Sequence, residues 1–375
     1  MSKLKVIDLF AGCGGLSLGF KKGGYQITAA LEIEKIFCET LKNNSSQGEL
    51  IINADITNRD TYINELRKHV GPSVDGVIGG PPCQAYSIAG RINKNNKMDQ
   101  DPRNFLFESF NQILKELQPK FFVFENVVGM LSAKPYGVNV VDEIKKEFDK
   151  LGYATLDNYK DCVFDMSDFG VPQKRKRVII FGVNKNINKD GDEKVNNFYK
   201  LMEKSKTHIK TVADAIYDLP KIYPNNISNR ISHASNEEFS EHIPRFHSQR
   251  DIKIFKLLAE DIESGRNKYI STESLKEVYK RFTGNDSKVH KYHVLRWDKP
   301  SNTIPAHLYK DGLRHIHPDS MQARTITIRE AARLMTFPDS YKLSGSMGDK
   351  YKMLGNAVPP FFSKIISKNI NKIIK

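Results

Sequence analysis

The chain has 375 residues, 39% of them hydrophobic and 27% charged, which suits a globular protein of one large domain or two ordinary ones. A formal net charge of +14 and an isoelectric point near 9.3 favour a polyanionic partner, since lysine and arginine displace counterions from phosphates, although a generally lysine-rich surface reads the same way. No secretory signal is visible in "MSKLKVIDLF", so none is expected, and no apolar run reaches the roughly 18 residues of a membrane span; four scattered cysteines without a Cys-x-x-Cys pair argue against a disulfide framework or a thiolate zinc site.

In chain order, "LKVIDLF" (4–10) reads as a buried strand and "GGLSLGFKKGG" (14–24) as a helix closed by glycines. Strands follow at 25–32, 50–55, 74–80 and 120–127. Helical patterns lie between them in "IEKIFCETLKNN", "TYINELRKH" and "NFLFESFNQILKEL". A further helix ends at Gly152, and "KRVIIFGV" (176–183) is a late strand. This alternation predicts an α/β fold, a doubly wound, mostly parallel sheet with helices on both faces and ligands at the carboxyl ends of its strands. From about residue 185 the polar "NKNINKDGDEKVNN" reads as a linker or surface loop, and to about 320 the alternation is lost, as in a second, smaller and irregular domain. The tail "PPFFSKIISKNINKIIK" is an amphipathic helix. His290 and His293 in "HKYH" lack a thiolate partner and read as surface or substrate-facing residues, so no metal is expected.

"DLFAGCGGLSLGF" (8–20) sits at a strand-to-helix turn where Gly12, Gly14 and Gly15 permit positive φ and close approach of a ligand. An ordinary tight turn explains these glycines too. The turn lacks the Gly-x-Gly-x-x-Gly spacing that cradles a pyrophosphate, and with no phosphate-binding lysine it suits a nucleoside cofactor without phosphates. Glu32 ends the second strand, where a carboxylate can accept both hydroxyls of a ribose. Asp55 ends the third, where it can accept from an adenine amino group, and Ile33 and Ile56 follow to sandwich the ring. Each acid alone also reads as a helix cap; three strand ends along one sheet edge favour the binding role.

In "VIGGPPCQAYS" (77–87), Cys83 follows two glycines that end a buried strand and two prolines that stiffen the backbone. It is either an inert half-buried thiol or a nucleophile on a rigid mount. A thiolate adding to carbon 6 of cytosine would make carbon 5 nucleophilic enough to take a methyl group. That chemistry needs an acid at ring nitrogen 3, and Glu125 in "FENV" ends the fifth strand where partial desolvation raises its pKa. "PQKRKR" (172–177) supplies cations for a carbonyl or a phosphate, or is a solvated loop.

Six blocks stand in one order: "DLFAGCGGLSLGF", "GGPPCQAYS", "FENV", "DFGVPQKRKRVIIFG", "TIREAARLMTFPDSY" and "YKMLGNAVPP". The set resembles the DNA (cytosine-5) methyltransferase family, in the compact form of bacterial and phage restriction-modification enzymes. The resemblance implies S-adenosylmethionine as donor, S-adenosylhomocysteine as product, and a Rossmann-like methyltransferase fold. It implies Cys83 as nucleophile, Glu125 at ring nitrogen 3, Arg177 at the cytosine carbonyl and Arg175 near the thiol and the DNA backbone. Phe10, Gly12, Gly14, Gly15, Leu16, Glu32, Ile33, Asp55, Ile56 and Pro82 would line the cofactor site, with Leu106, Asn356 and Val358 closing it. Gln84, Ser87 and Arg91 would touch DNA, and the basic segment 88–103 fits a loop that closes over a base rotated out of the duplex.

The resemblance further implies a discontinuous catalytic domain over 1–186 and 345–375, a target-recognition domain over 187–324 and a hinge at 325–344. Bidentate contacts from Arg, Lys, Asn or Gln in 187–324 would read the bases, and arginine and histidine there would as easily touch phosphates. Double-stranded DNA is the expected partner, alongside a cognate restriction endonuclease; the chain is expected to be a cytoplasmic monomer, in a bacterial or phage-infected cell. Three other readings compete: an RNA methyltransferase on the same scaffold, a catalytically silent DNA-binding protein, and a nucleotide-dependent oxidoreductase. The roughly 100-residue variable region favours DNA over RNA, being a typical domain's worth of surface. The presence of Cys83, Glu125 and Arg177 disfavours the second alternative, and the missing pyrophosphate fingerprint the third.

Overall fold

The computed structural model describes residues 3–71, 74–82, 106–134, 139–228, 230–234, 239–310 and 312–374. One sheet of eight strands forms the centre: β1 (Lys5–Leu9), β2 (Gln26–Glu32), β3 (Leu50–Asn53), β4 (Gly76–Gly79), β5 (Phe121–Val127), β6 (Tyr153–Ala154), β7 (Val163–Asp165) and β8 (Lys176–Asn184). The order is β3-β2-β1-β4-β5-β8-β6, with β7 also paired to β8. β1 to β5 run parallel, whereas β8 enters antiparallel to β5, β6 and β7. The mostly parallel, doubly wound expectation therefore holds, with an antiparallel edge. The chain order reverses where β1 lies between β2 and β4, the kind of switch point at which such sheets open a ligand crevice.

β5 shows why the sheet is covered on both faces. Successive strand side chains point to opposite sides. Phe121 packs on Tyr25 and Phe181, and Phe181 on Phe198 of α6 (Gly191–Lys204). Phe122 and Phe124 pack the other way, on Phe110 of α4 (Leu106–Leu117) and Phe148 of α5 (Val140–Lys150). α6 begins inside the stretch expected to be a linker, 184–197, and runs past its end. Its buried Val195, Phe198, Tyr199 and Met202 recur at helical spacing and belong to the sheet's own core, so the first unit extends past residue 186.

α1 (Gly15–Lys22) is clasped by the C-terminal helix α12 (Pro360–Ile374). The facing positions of α1 and its cap are Gly15, Gly19 and Gly23. Ser363 donates to the Leu16 carbonyl at 2.8 Å and Asn371 to the Gly23 carbonyl at 2.8 Å. A methyl group on Gly19 would overlap Ser363, and one on Gly23 would overlap Ser367. Gly19→Ala should therefore overpack the crossing by about 1–3 kcal/mol and lower the thermal midpoint by a few degrees, which a calorimetric melt reads.

α2 (Lys35–Asn43) and α3 (Ile63–Val70) cover the β2–β3 side. The remaining chain forms a hairpin, β9 (Pro224–Ser228) with β10 (Ile231–His233), and helices α7 (Val212–Ile216), α8 (Gln249–Glu263), α9 (Thr272–Thr283), α10 (Ile328–Leu334) and α11 (Met347–Asn356). One apolar core joins α7, α10 and α11 and takes in Cys13 and Phe37 from the first unit; a smaller one lies between α8 and α9.

The polar interior of this second region departs from the sequence expectation. His233, His242, His247, His315 and His317 are all buried, and burial depresses each imidazole, His315 and His317 to about 3. Burial favours their neutral form and does not fit contact with phosphates. At their centre Arg324 forms a bidentate pair with Glu330, at 2.7 and 2.6 Å. Burial alone would raise the Glu330 carboxyl, yet Arg324 holds it well below the usual carboxylate range. Thr327 and Glu330 close a capping box that starts α10.

Candidate active site

Strand register builds the site. Leu31, Leu9, Gly79 and Phe124 are cross-strand partners on β2, β1, β4 and β5. The next residue on each chain is Glu32, Phe10, Gly80 and Glu125. Four groups singled out by the sequence or adjoining it therefore stand in one row at the carboxyl edge. At the usual strand spacing, Glu32 and Glu125 are about 14 Å apart.

At one end of the row, the Gly12 N–H donates to Glu32 Oε2 at 2.8 Å and the Glu34 N–H to Oε1 at 2.9 Å. Burial raises the Glu32 carboxyl, and these backbone donors oppose it. Each oxygen keeps a second lone pair for a hydroxyl. Phe10, Gly12 and Gly14 all have positive φ (57°, 57° and 83°), which turns the chain sharply from β1 into α1. A Cβ at Gly12 would meet nothing within 4 Å, so the turn offers open backbone beside Glu32. A methyl on Gly15 would overlap the Val358 carbonyl, so that stretch of chain packs against the turn. Leu16, Ile56 and Val358 are buried in the core, Ile33 and Asn356 are exposed, and Leu106 is half-buried at the start of α4. Asp55 is exposed and accepts from the Thr57 N–H and hydroxyl at 2.9 and 2.7 Å, a turn cap at the third strand end.

Asp8 lies beneath the turn, fully buried. Its Oδ2 accepts from the Ser17 N–H and hydroxyl, and its Oδ1 has no partner. Burial pushes this carboxyl up to about 7. The folded state thus holds a proton that the unfolded chain releases near pH 4, and stability falls as pH rises between the two values. Asp8→Asn should keep the Ser17 bonds and remove that loss. Its thermal midpoint should exceed the parent's by a few degrees at pH 8 and by little at pH 4, in melts run across that range.

At the other end, Glu125 pairs with Arg177, Nε to Oε1 at 3.0 Å. Val127 and Arg177 are direct partners across β5 and β8, so Glu125 meets Arg177 diagonally on the same face. Burial raises the Glu125 carboxyl; Arg177, then Arg175, oppose it. The carboxylate lies against Gly80, where a Cβ would come within 2.7 Å of Oε2. Asn126, which the sequence reading passed over although it stands in "FENV", donates to the Pro81 carbonyl at 3.3 Å. Residues 80 and 81 are thereby pinned to the tip of β5, with Pro82 exposed just beyond. Cys83, Gln84, Ser87, Arg91 and the segment 88–103 lie outside the described residues.

Arg175 differs from expectation. Its guanidinium is 1% exposed and donates to the Ile304 carbonyl at 3.2 Å and the Gly355 carbonyl at 2.9 Å. So placed, it ties the approach to β8 to the second region and to α11, and its burial does not fit a direct contact with a DNA backbone. Gln173 works beside it, accepting from the Ile304 N–H at 3.1 Å. Among the described residues there is no cluster of three or more His, Cys, Asp or Glu side chains able to hold a metal, and no helix long and apolar enough to cross a membrane.

The fold is that of an α/β protein, a doubly wound sheet with a buried acid at each end of one carboxyl-edge row. Residues 4–372 match the family model for C-5 cytosine-specific DNA methylases, and the chain belongs to that family. It is 35% identical to the type II methyltransferase M.Bpa9945I of Bacillus paralicheniformis, covering 98% of this chain and 99% of that one. It is 33% identical to M1.HphI of Haemophilus parahaemolyticus, over 99% and 87% of the two chains. Among solved structures it resembles a protein described as a DNA modification methyltransferase encoded within an E. coli prophage, at 27% identity and a TM-score of 0.66 over 99% of both. The Dnmt2 methyltransferase of S. pombe, at 17% identity and a TM-score of 0.58 over 99% and 98%, shares the fold. The chain is a DNA (cytosine-5) methyltransferase.

Proposed function

We propose that the chain is the modification enzyme of a type II restriction-modification pair, a cytoplasmic monomer that methylates cytosine in one double-stranded DNA sequence, with a cognate endonuclease as its counterpart. The row from Glu32 to Glu125 carries the reading, because it sets a donor site and an acid on one edge about 14 Å apart. The donor-side residues fit S-adenosylmethionine: open backbone at Gly12, a buried carboxylate with free lone pairs at Glu32, and exposed Ile33 at the rim. Bound there, the donor supplies a methyl group on an electrophilic sulfonium and leaves as S-adenosylhomocysteine. Asp55 and Ile56 would meet its base, with Phe10, Gly14, Gly15, Leu16, Pro82, Leu106, Asn356 and Val358 completing the wall.

The chain's own residues do the rest. The Cys83 thiolate forms a bond to carbon 6 of a flipped-out cytosine, and the ring's electron pair moves toward nitrogen 3. Glu125 gives its proton to nitrogen 3 as that charge builds, and carbon 5 becomes the nucleophile that takes the methyl group. Loss of the carbon 5 proton to solvent and expulsion of Cys83 restore the aromatic ring, while nitrogen 3 returns its proton to Glu125. Arg177, already within reach of Glu125, holds the cytosine carbonyl. Arg175 supports the pair from beneath, and Gln84, Ser87 and Arg91 engage the duplex. Residues of 187–324 beyond α6 read the target sequence; with five histidines committed to the core, the reading falls to exposed Arg, Lys, Asn and Gln side chains there.

The test is direct. The protein is incubated with S-adenosylmethionine labelled in its methyl group and either duplex DNA or tRNA, and modified cytosines are mapped by bisulfite sequencing. Label should enter DNA at one recurrent sequence. Transfer to tRNA alone would overturn the reading.

A further inference from the structure

The glycine turn is held from two sides. Glu32 takes the Gly12 N–H. On the far side the Tyr341 hydroxyl donates to the Cys13 carbonyl at 2.5 Å. The phenol is 8% exposed and sits so close to the turn that a Cβ at Gly14 would lie 2.8 Å from its oxygen. Tyr341 comes from the far end of the sequence and is itself fixed. Its N–H donates to the Pro338 carbonyl at 2.9 Å and its ring packs on Phe337 at 4.9 Å between centroids, directly after α10. Beyond it, Asn44 and Lys342 exchange two hydrogen bonds, and the Ser344 N–H donates to the Thr40 hydroxyl. Residues 341–344 thus strap the second region to α2 and to the turn.

We infer that Tyr341 is a positioning residue for the methyl donor, holding the Cys13–Gly14 peptide plane so that the turn is already in its binding shape. The inference rests on the proposed donor site at this turn. Its physical basis is how that plane is held: its N–H edge donates from Gly14 to the Ala11 carbonyl at 2.8 Å and its carbonyl edge accepts from Tyr341, while Gly14, at positive φ, has no side chain to restrict it, so losing the hydroxyl frees one of the plane's two anchors. A turn that must be ordered when the donor arrives binds it more weakly. The chemistry itself, two strands away at Glu125, does not touch Tyr341.

Tyr341→Phe removes only the hydroxyl and keeps the ring against Phe337. Calorimetric titration with S-adenosylhomocysteine should show Kd rising roughly five- to thirtyfold, the loss expected when a buried carbonyl loses its partner. The KM for S-adenosylmethionine should rise in step, with kcat at saturating donor and affinity for duplex DNA both within twofold. A Kd within twofold of the parent overturns the inference, even if the thermal midpoint falls, because that pattern describes a purely structural tyrosine. Glu32→Gln is titrated alongside. If it weakens the product and Tyr341→Phe does not, the inference alone fails. If Glu32→Gln leaves Kd unchanged, the donor-site reading fails and takes the inference with it.

Discussion

Glu125→Gln should transfer methyl groups about 10²- to 10⁴-fold more slowly than the parent while binding S-adenosylhomocysteine and duplex DNA nearly as well. The amide fills the same space against Gly80 and can still accept from Arg177, so the fold and both binding sites persist. It lacks an ionisable proton to give to ring nitrogen 3. The pH profile separates this from a general loss of order. Burial favours the neutral acid, and Arg177, then Arg175, pull the other way; the balance leaves the carboxyl above its ordinary range. The active form is the protonated one, so parental kcat should fall as pH rises through that raised pKa. The Gln variant should lack this limb. A kcat within tenfold of the parent, or a limb that survives the substitution, would remove Glu125 from its assigned role.

Cys83→Ser should abolish turnover altogether and leave cofactor affinity within about twofold. A hydroxyl does not ionise near neutral pH and is a far weaker nucleophile than a thiolate. Only Pro81 and Pro82 separate Cys83 from Gly80, a tether of three Cα–Cα steps or at most about 11 Å, and Gly80 is packed on the Glu125 carboxylate. Duplex carrying 5-fluorocytosine at the target position gives a second readout. Fluorine at carbon 5 cannot leave as a proton, so the parent should accumulate a covalent complex that survives denaturing gels. The Ser variant should form none. Retained turnover, or a complex formed without Cys83, would reassign the nucleophile.

Much of the catalytic half was legible because its physics is local. Strands buried on both faces read as continuous apolar runs, and an acid directly after such a run stands at a strand end; Glu32 and Glu125 were found in this way. Direction was not legible. "RVIIFGV" carries the same pattern whether β8 runs parallel or antiparallel to β5, since both faces are covered either way. α6 was missed because acidic and polar residues, which favour a helix start, crowd its first turn and resemble a loop. Arg175 and Arg177 look equivalent two residues apart, yet one is spent on carbonyls of the second region and the other on Glu125. The second region resisted most, because a core built from neutral histidines and a buried Arg324–Glu330 pair has the composition of a surface. Tyr341 lay within a block that was recognised, and nothing in its spacing shows which carbonyl it reaches.

The crossing of α1 with α12 has a consequence for how the molecule is made. Asn371 reaches the Gly23 carbonyl, and three residues on, the Gln26 N–H donates to the Leu4 carbonyl. Positions near both chain ends therefore converge on one side of the sheet, the side remote from the reacting edge. During synthesis, the glycine face of α1 waits for a helix encoded some 340 residues later, as the span from Leu16 to Ser363 requires. Until then the close approach at Gly19 and Gly23 has no partner, and the strip of backbone stays uncovered.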